Sequence, residues 1–143
     1  MGAPDLQRIE PGTREQALRD FLGGFDFRGD MVTAPVARFS GGEKARLVLA
    51  MIVRQRPQLL ILDEPTNHLD IVSIRWLEKF LLSFRGCAVV VSHDHRFLNE
   101  VATHILDVDY GTIQPYPGNY DAFLAAKVET RDRKEAEVAR VER

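Results

Sequence analysis

The chain has 143 residues, enough for one domain with a real core. Hydrophobic residues make up 45% of it and the formal net charge is -2, which excludes a disordered polyelectrolyte and a polycation that coats nucleic acid. The single cysteine, Cys87, rules out an internal disulfide framework and a cysteine-based metal site.

The first dozen residues, with Pro4, Pro11 and Gly12, read as a loose lead-in without the apolar core of a signal peptide. No run approaches the ~18 apolar residues of a membrane span, and a cytoplasmic location is expected. Thr13 to Gln16 forms a capping-box pattern, so a helix is predicted from about residue 14 to 22, stopped by Gly23 and Gly24. Phe21, Phe25 and Phe27 are expected to pack locally, and residues 28–39 read as a connection.

Ser40 opens a second capping box with Glu43. Ala45, Val48, Leu49 and Ile52 then have helical spacing, which predicts a helix over 41–54 ended by Pro57. Leu59 to Leu62 is an apolar run, read as a buried strand. Asp70 is placed to cap a helix over 71–83 with Ile74, Leu77 and Leu81 inward. Residues 87–91 form a second apolar strand, with Cys87 expected in the core, and a short helix follows from Asp94 to Ala102. Residues 105–108 and 112–116 read as strands around the turn Asp109-Tyr110-Gly111. Ala122, Phe123 and Ala126 are expected to touch the body. From Lys127 charges dominate, with same-face pairs Glu129–Arg133 and Arg133–Glu137, as on a solvated helix. Strands alternating with helices predict an α/β domain with a mostly parallel sheet.

Three segments carry chemistry. In LLILDEPTNHLD (59–70) an apolar strand delivers two adjacent carboxylates to a sheet edge, where ligands bind in such folds. Asp63 is placed to hold Mg²⁺ through water and Glu64 to orient or deprotonate an attacking water. The bland alternative, a strand followed by an acidic turn, has about even weight from this segment alone. In FSGGEKARLVLA (39–50), Ser40, Gly41 and Gly42 expose backbone amides at a helix start, where an anion can approach; an ordinary N-cap explains them equally. In VVVSHDHRF (89–97), a strand leads to Ser92 and His93, and a histidine there could bond a γ-phosphate. His68, His95 and His104 read as structural, and Trp76 as packing.

Order adds weight to these segments, at intervals of 23 residues from Ser40 to Asp63 and 30 from Asp63 to His93. In that order they resemble the signature, Walker B with D-loop, and switch loop of an ATP-binding cassette. The resemblance implies a partial P-loop NTPase fold and ATP with Mg²⁺ as cofactors. It implies that Ser40, Gly41, Gly42 and Glu43 meet the γ-phosphate on an opposite cassette, that Asp63 holds Mg²⁺ through water, and that Glu64 is the catalytic carboxylate. His93 would be the γ-phosphate sensor and Asp70 the D-loop aspartate. Glu43 stands where many members have glutamine.

The wording DEPTNHLD, with Asn67-His68, is similar to that of ABC-F proteins, which join two cassettes without a membrane domain. YPGNYDAF before a charged helix resembles the exit from a first cassette of that family into its inter-cassette linker, which meets the ribosome and tRNA. Residues 16–70 resemble a second cassette more closely. The chain contains no G-x-x-x-x-G-K-S/T loop. The expectation is therefore half a cassette, inactive in isolation, with 1–126 as the ATPase part (13–56 helical and signature, 57–126 Walker B and switch) and 127–143 as linker. A gap, an altered pairing or an exposed strand edge is expected between the strand ending near Ser92 and that near Ile105. The alternatives are a transporter's nucleotide-binding subunit, or a non-catalytic half-cassette that pairs with another.

Overall fold

The computed structural model describes residues 11–141. The lead-in at Pro4 and the pairing of Arg133 with Glu137 lie outside the residues or side chains described.

The first helix, α1, spans Glu15–Gly23 and buries Leu18 and Leu22, one turn apart on one face. Its N-cap is Arg14, not Thr13, and that cap makes no side-chain bond. The Gln16 side-chain amide donates to Asp20 at 2.8 Å, forward along the helix. The chain then turns through Asp26, at φ 66°, and two short 3-10 turns, Gly29–Val32 and Val36–Arg38.

Helix α2 spans Gly41–Arg54 and starts in a complete capping box. The Glu43 amide donates to Ser40 Oγ at 3.2 Å, and the Ser40 amide donates to Glu43 Oε2 at 2.8 Å. Its buried face is Gly42, Arg46, Leu47, Leu49 and Ala50. Ala45, Val48 and Ile52, expected inward with Leu49, are exposed. The helix has two apolar stripes, and the core of α1 and the 3-10 turns covers only one.

Strand β1 (Leu59–Asp63) pairs in parallel with β2 (Cys87–Val91), in the register Leu59↔Cys87 to Asp63↔Val91. Between them α3 (Ile71–Ser83) is capped by Asp70, whose carboxylate accepts the Ser73 amide at 2.8 Å. Leu77 is buried and Ile74 and Leu81 pack against the core, as the spacing predicts. The strands are not fully buried, however. Leu60 is buried while Leu59 and Ile61 are exposed, and Cys87 is exposed rather than in the core. A two-stranded sheet packs one face on the helices and leaves the other to water.

Helix α4 spans His95–Val101, capped by Asp94. Strands β3 (His104–Asp109) and β4 (Thr112–Pro117) form an antiparallel hairpin. Its turn residues Tyr110 and Gly111 both have positive φ, as a two-residue hairpin loop that matches strand twist requires. The β1-β2 pair and the β3-β4 pair are separate sheets, so the expected gap lies between β2 and β3. Helix α5 spans Tyr120–Val141. Phe123 is buried and its ring meets Tyr116 edge-on at 5.1 Å. Glu129 and Arg133 pair at 2.8 Å as their spacing predicts. Residue 127, where the charged segment begins, lies inside α5, and Lys127 still reaches Asp107 at 2.8 Å.

The core joins Leu18, Leu22, Phe25, Phe27, Val32, Phe39, Leu47, Leu49 and Ala50 to Leu60, Leu77 and Phe97. Phe25 contacts Phe21, Trp76 and Phe80 with ring centroids 5.2–5.9 Å apart, so this aromatic set bridges α1 to α3 rather than packing only locally.

Candidate functional site

Parallel pairing carries Asp63 to the C-terminal end of β1, opposite Val91. Glu64 follows at φ 44°, a left-handed conformation rare for a branched-off side chain of this length. The turn is held because the Glu64 amide donates to the Val91 carbonyl at 2.8 Å, one rung beyond the strand. That geometry aims the Glu64 carboxylate across to the loop after β2. Its Oε2 accepts the His93 backbone amide at 3.4 Å, and Oε1 lies 3.4 Å from His93 Nε2. The His93 ring is 96% exposed, so the rest of its surface is open to a ligand. Residues 29 apart in sequence thus meet at one sheet edge.

Asp63 and Gly42 line a common cleft of about 310 Å³ between α2, β1 and α3. Most of its lining is apolar, including Val48, Ile52 and Ile61. Ser40, at the start of α2, is exposed and uses its oxygen as acceptor in the capping box. Its hydroxyl hydrogen and the first-turn amides at Gly41 and Gly42, which have no acceptor within a helix, suit an anion.

Gly42 has a second reason to be glycine. A Cβ there would run into the Oγ of Ser73 and approach its Cβ to 2.8 Å. A Cβ on Gly41 would only touch the His68 carbonyl at 3.4 Å. The start of α2 and the start of α3 are therefore seated directly on each other. Asp70 is held below the usual carboxylate range by the Ser73 hydroxyl and amide, with a smaller contribution from the charge of Arg46.

Arg46 and Ser73 were not singled out by sequence reasoning. Arg46 is 9% exposed, lies 5.9 Å over the Phe27 ring, and its Nε has no hydrogen-bond partner among the described residues. Its signal was available: it lies one helical turn after Gly42 and so faces the same way. His95 stacks on Tyr120 with centroids 4.1 Å apart and His104 Nδ1 lies 3.1 Å from Thr103 Oγ1, whereas His68 is exposed in a turn at φ 62°.

A family model described as "ABC transporter" matches residues 7–67. The "Probable ATP-binding protein YheS" of Escherichia coli is 51% identical over 118 residues, covering 82% of this chain and 18% of that protein. The "Putative ATP-binding protein YdiF" of Bacillus subtilis is 47% identical over 119 residues, covering 83% and 18%. The "Energy-dependent translational throttle protein EttA" of Escherichia coli is 43% identical over 130 residues, covering 90% and 23%. Over most of its length the chain is thus similar to ATP-binding-cassette ATPases of the ABC-F type. It spans about a fifth of the length of these relatives, whose shares run from 18% to 23%. A dimeric ATP-binding cassette in a post-hydrolysis state with ADP and Pi has the same fold, at TM-score 0.54 and 19% identity, over 72% of this chain and 46% of that one. No helix among the described residues is long and apolar enough to cross a membrane.

The family is one that binds ATP. Among the described residues no group of three or more His, Cys, Asp or Glu could enclose a metal ion. The donor set fits Mg²⁺ only as that ion is usually held beside nucleotides, by one carboxylate with waters and phosphate oxygens completing its shell. Asp63, exposed at the end of β1, is a carboxylate of that kind.

Proposed function

We propose that the chain supplies the signature, Walker B, D-loop and switch residues of an ABC-F ATPase. The observation that carries this is the Glu64 carboxylate at the end of β1, held by His93 through both its backbone amide and its ring. These contacts are long for hydrogen bonds, so the carboxylate keeps capacity to accept a proton from water. Glu64 orients and deprotonates the attacking water, and His93 faces the γ-phosphate across the same edge. Asp63 would hold Mg²⁺ through water, and that ion would neutralise phosphate charge. Ser40, Gly41, Gly42 and Glu43 present hydroxyl and amide donors to the phosphate of a nucleotide on a second cassette. Asp70, fixed as the α3 cap, keeps the signature turn in register with β1.

The working unit is this segment paired with a second cassette, within or between chains, in the cytoplasm. Residues 1–126 form the ATPase part and 127–143 begin a linker. The name of the relative EttA supports a role of the parent protein in translation, and the ribosome with its tRNA is the partner proposed.

The test is Mg-ATP hydrolysis by the chain alone and with a fragment that supplies a Walker A loop in trans. The chain alone is expected to be inactive, because the phosphate grip of that loop is not in its 143 residues. The complemented sample is expected to hydrolyse ATP and to lose that activity with Glu64→Gln. Hydrolysis by the chain alone would show that another phosphate site exists. Unchanged hydrolysis with Glu64→Gln in the complemented sample would remove the role given to Glu64.

A further inference from the structure

Helix α4 begins directly after the loop that carries His93. Its first turn is pinned there, because Asp94 Oδ1 accepts the Phe97 amide at 3.0 Å and the Phe97 side chain is 1% exposed in the core. On another face, His95 and Asn99 stand one helical turn apart and both reach the first turn of α5. The His95 ring stacks on Tyr120 with centroids 4.1 Å apart and planes 19° apart. Asn99 Oδ1 accepts the Asp121 backbone amide at 3.0 Å.

That second bond is informative. First-turn amides of a helix have no acceptor within it. Asn119, the residue before α5, takes the Ala122 amide at 3.1 Å. The Asp121 amide is taken by a side chain from a different helix, 22 residues away in sequence. The root of α5 is therefore capped partly by itself and partly by α4. Farther along, Lys127 bonds Asp107 at 2.8 Å, which braces α5 on the hairpin.

We infer that α4 is a rigid connector that sets the direction of α5 from the position of the His93 loop, with Asn99 as the positioning residue and His95 as its stacking support. The functional meaning rests on the reading of His93 as the phosphate-facing group; the mechanical link does not. The geometry amplifies small movements. α5 has 22 residues. At 1.5 Å per residue that is about 33 Å, so a tilt of about 10° at its root moves the far end by about 6 Å.

The experiment is amide hydrogen exchange, resolved by NMR, on the full chain. Asn99→Ala is expected to speed exchange of the Asp121 amide roughly fivefold while α2 amides keep their rates. Asn99→Asp retains the accepting oxygen and is expected to restore protection. Asp94→Ala releases the other end of α4 and is expected to speed Asp121 exchange roughly twofold through the helix. An unchanged Asp121 rate in Asn99→Ala overturns the inference. So does a response to Asn99→Ala with none to Asp94→Ala, because α4 would then cap α5 without transmitting from the loop. Failure of the His93 reading would appear instead as full hydrolysis by His93→Ala in the complemented assay, with the exchange results standing.

Discussion

The helical region and the strand region solve the burial problem differently. α1, the 3-10 turns and α2 contribute most of the core, from Leu18 through Ala50, and α3 closes it with Leu77, Trp76 and Phe80. The four strands contribute Leu60 as their one fully buried hydrophobic, while Ile61 is 66% and Val108 72% exposed. Yet the strand ends present Asp63, Glu64 and the loop of His93. Stability and chemistry are thus divided: packed helices hold their own shape, and backbone ladders deliver the carboxylates.

The comparison is broken most directly by one substitution in each region. Phe27 is 2% exposed, so Phe27→Ala is expected to cost about 3–5 kcal/mol in urea unfolding. Ile61→Ser, in β1 at a side chain 66% exposed beside the open cleft, is expected to change stability by no more than about 0.5 kcal/mol. Equal costs would mean that the strand face is packed in solution, through association or rearrangement, and the division would not hold.

The next effect sits at the seam between the regions. Gly42→Ala places a Cβ against Ser73 and is expected to cost about 1–3 kcal/mol. Adding Ser73→Gly removes the obstructing side chain, so the double variant should recover part of that loss in a thermodynamic cycle. Gly41→Ala meets only the His68 carbonyl at ordinary contact distance and serves as the control. If both glycine variants unfold alike, helix propensity rather than the close approach sets the cost.

These residues also show what was legible. Local rules with fixed spacing read correctly: the Ser40–Glu43 box, the Asp70 cap and the turn at Tyr110-Gly111 all depend on neighbours within a few residues. The segment around Asp63 and Glu64 was visible because a strand ending in carboxylates is a local pattern too. Burial was less legible, because it depends on what covers a face. Periodicity identified an apolar stripe at Ala45, Val48 and Ile52, but it could not tell which of two stripes α1 would cover. Continuous apolarity in β1 and β2 read as burial on both faces, and Cys87 shows the limit of that inference. At the start of α1 the boundary falls one residue later than the Thr13 pattern predicts, with Arg14 as the cap. Arg46 went unread because a buried guanidinium makes sense only beside Phe27 and near Asp70, which the fold alone brings together.

A smaller effect follows from Asp70. Its carboxyl is depressed below the ordinary value of 3.8 by hydrogen bonds from Ser73, aided by Arg46. A depressed carboxyl stabilises the fold above its unfolded pKa, and that contribution is lost as pH falls through the lower folded value. Acid unfolding of Asp70→Asn should therefore start from lower stability at neutral pH and decline less steeply below about pH 4. A parallel decline in the two proteins would place acid sensitivity elsewhere.

The smallest effect tests whether α5 belongs to the packed body or only leaves it. Lys127 is raised above its ordinary 10.5, first by its hydrogen bond to Asp107, which outweighs a cost of burial, and then by smaller contributions from the charges of Asp107, Asp109 and Tyr116. For a raised lysine the sign is opposite to that of Asp70. Its stabilisation is complete below the unfolded pKa and disappears as pH rises through the higher folded value. The pair is largely solvent-exposed on the lysine side, so screening keeps its contribution small. Lys127→Met keeps most of the stem over the Phe123 ring, where the ammonium sits 5.4 Å from the centroid, while removing the charge. Helix content measured by circular dichroism should fall slightly for this variant at pH 7. The difference from the parent should vanish once the pH lies well above the raised folded value, where the parent lysine has also lost its proton. A difference that persists at high pH would trace the effect to stem packing on Phe123, and α5 would then be held to the hairpin by its apolar face alone.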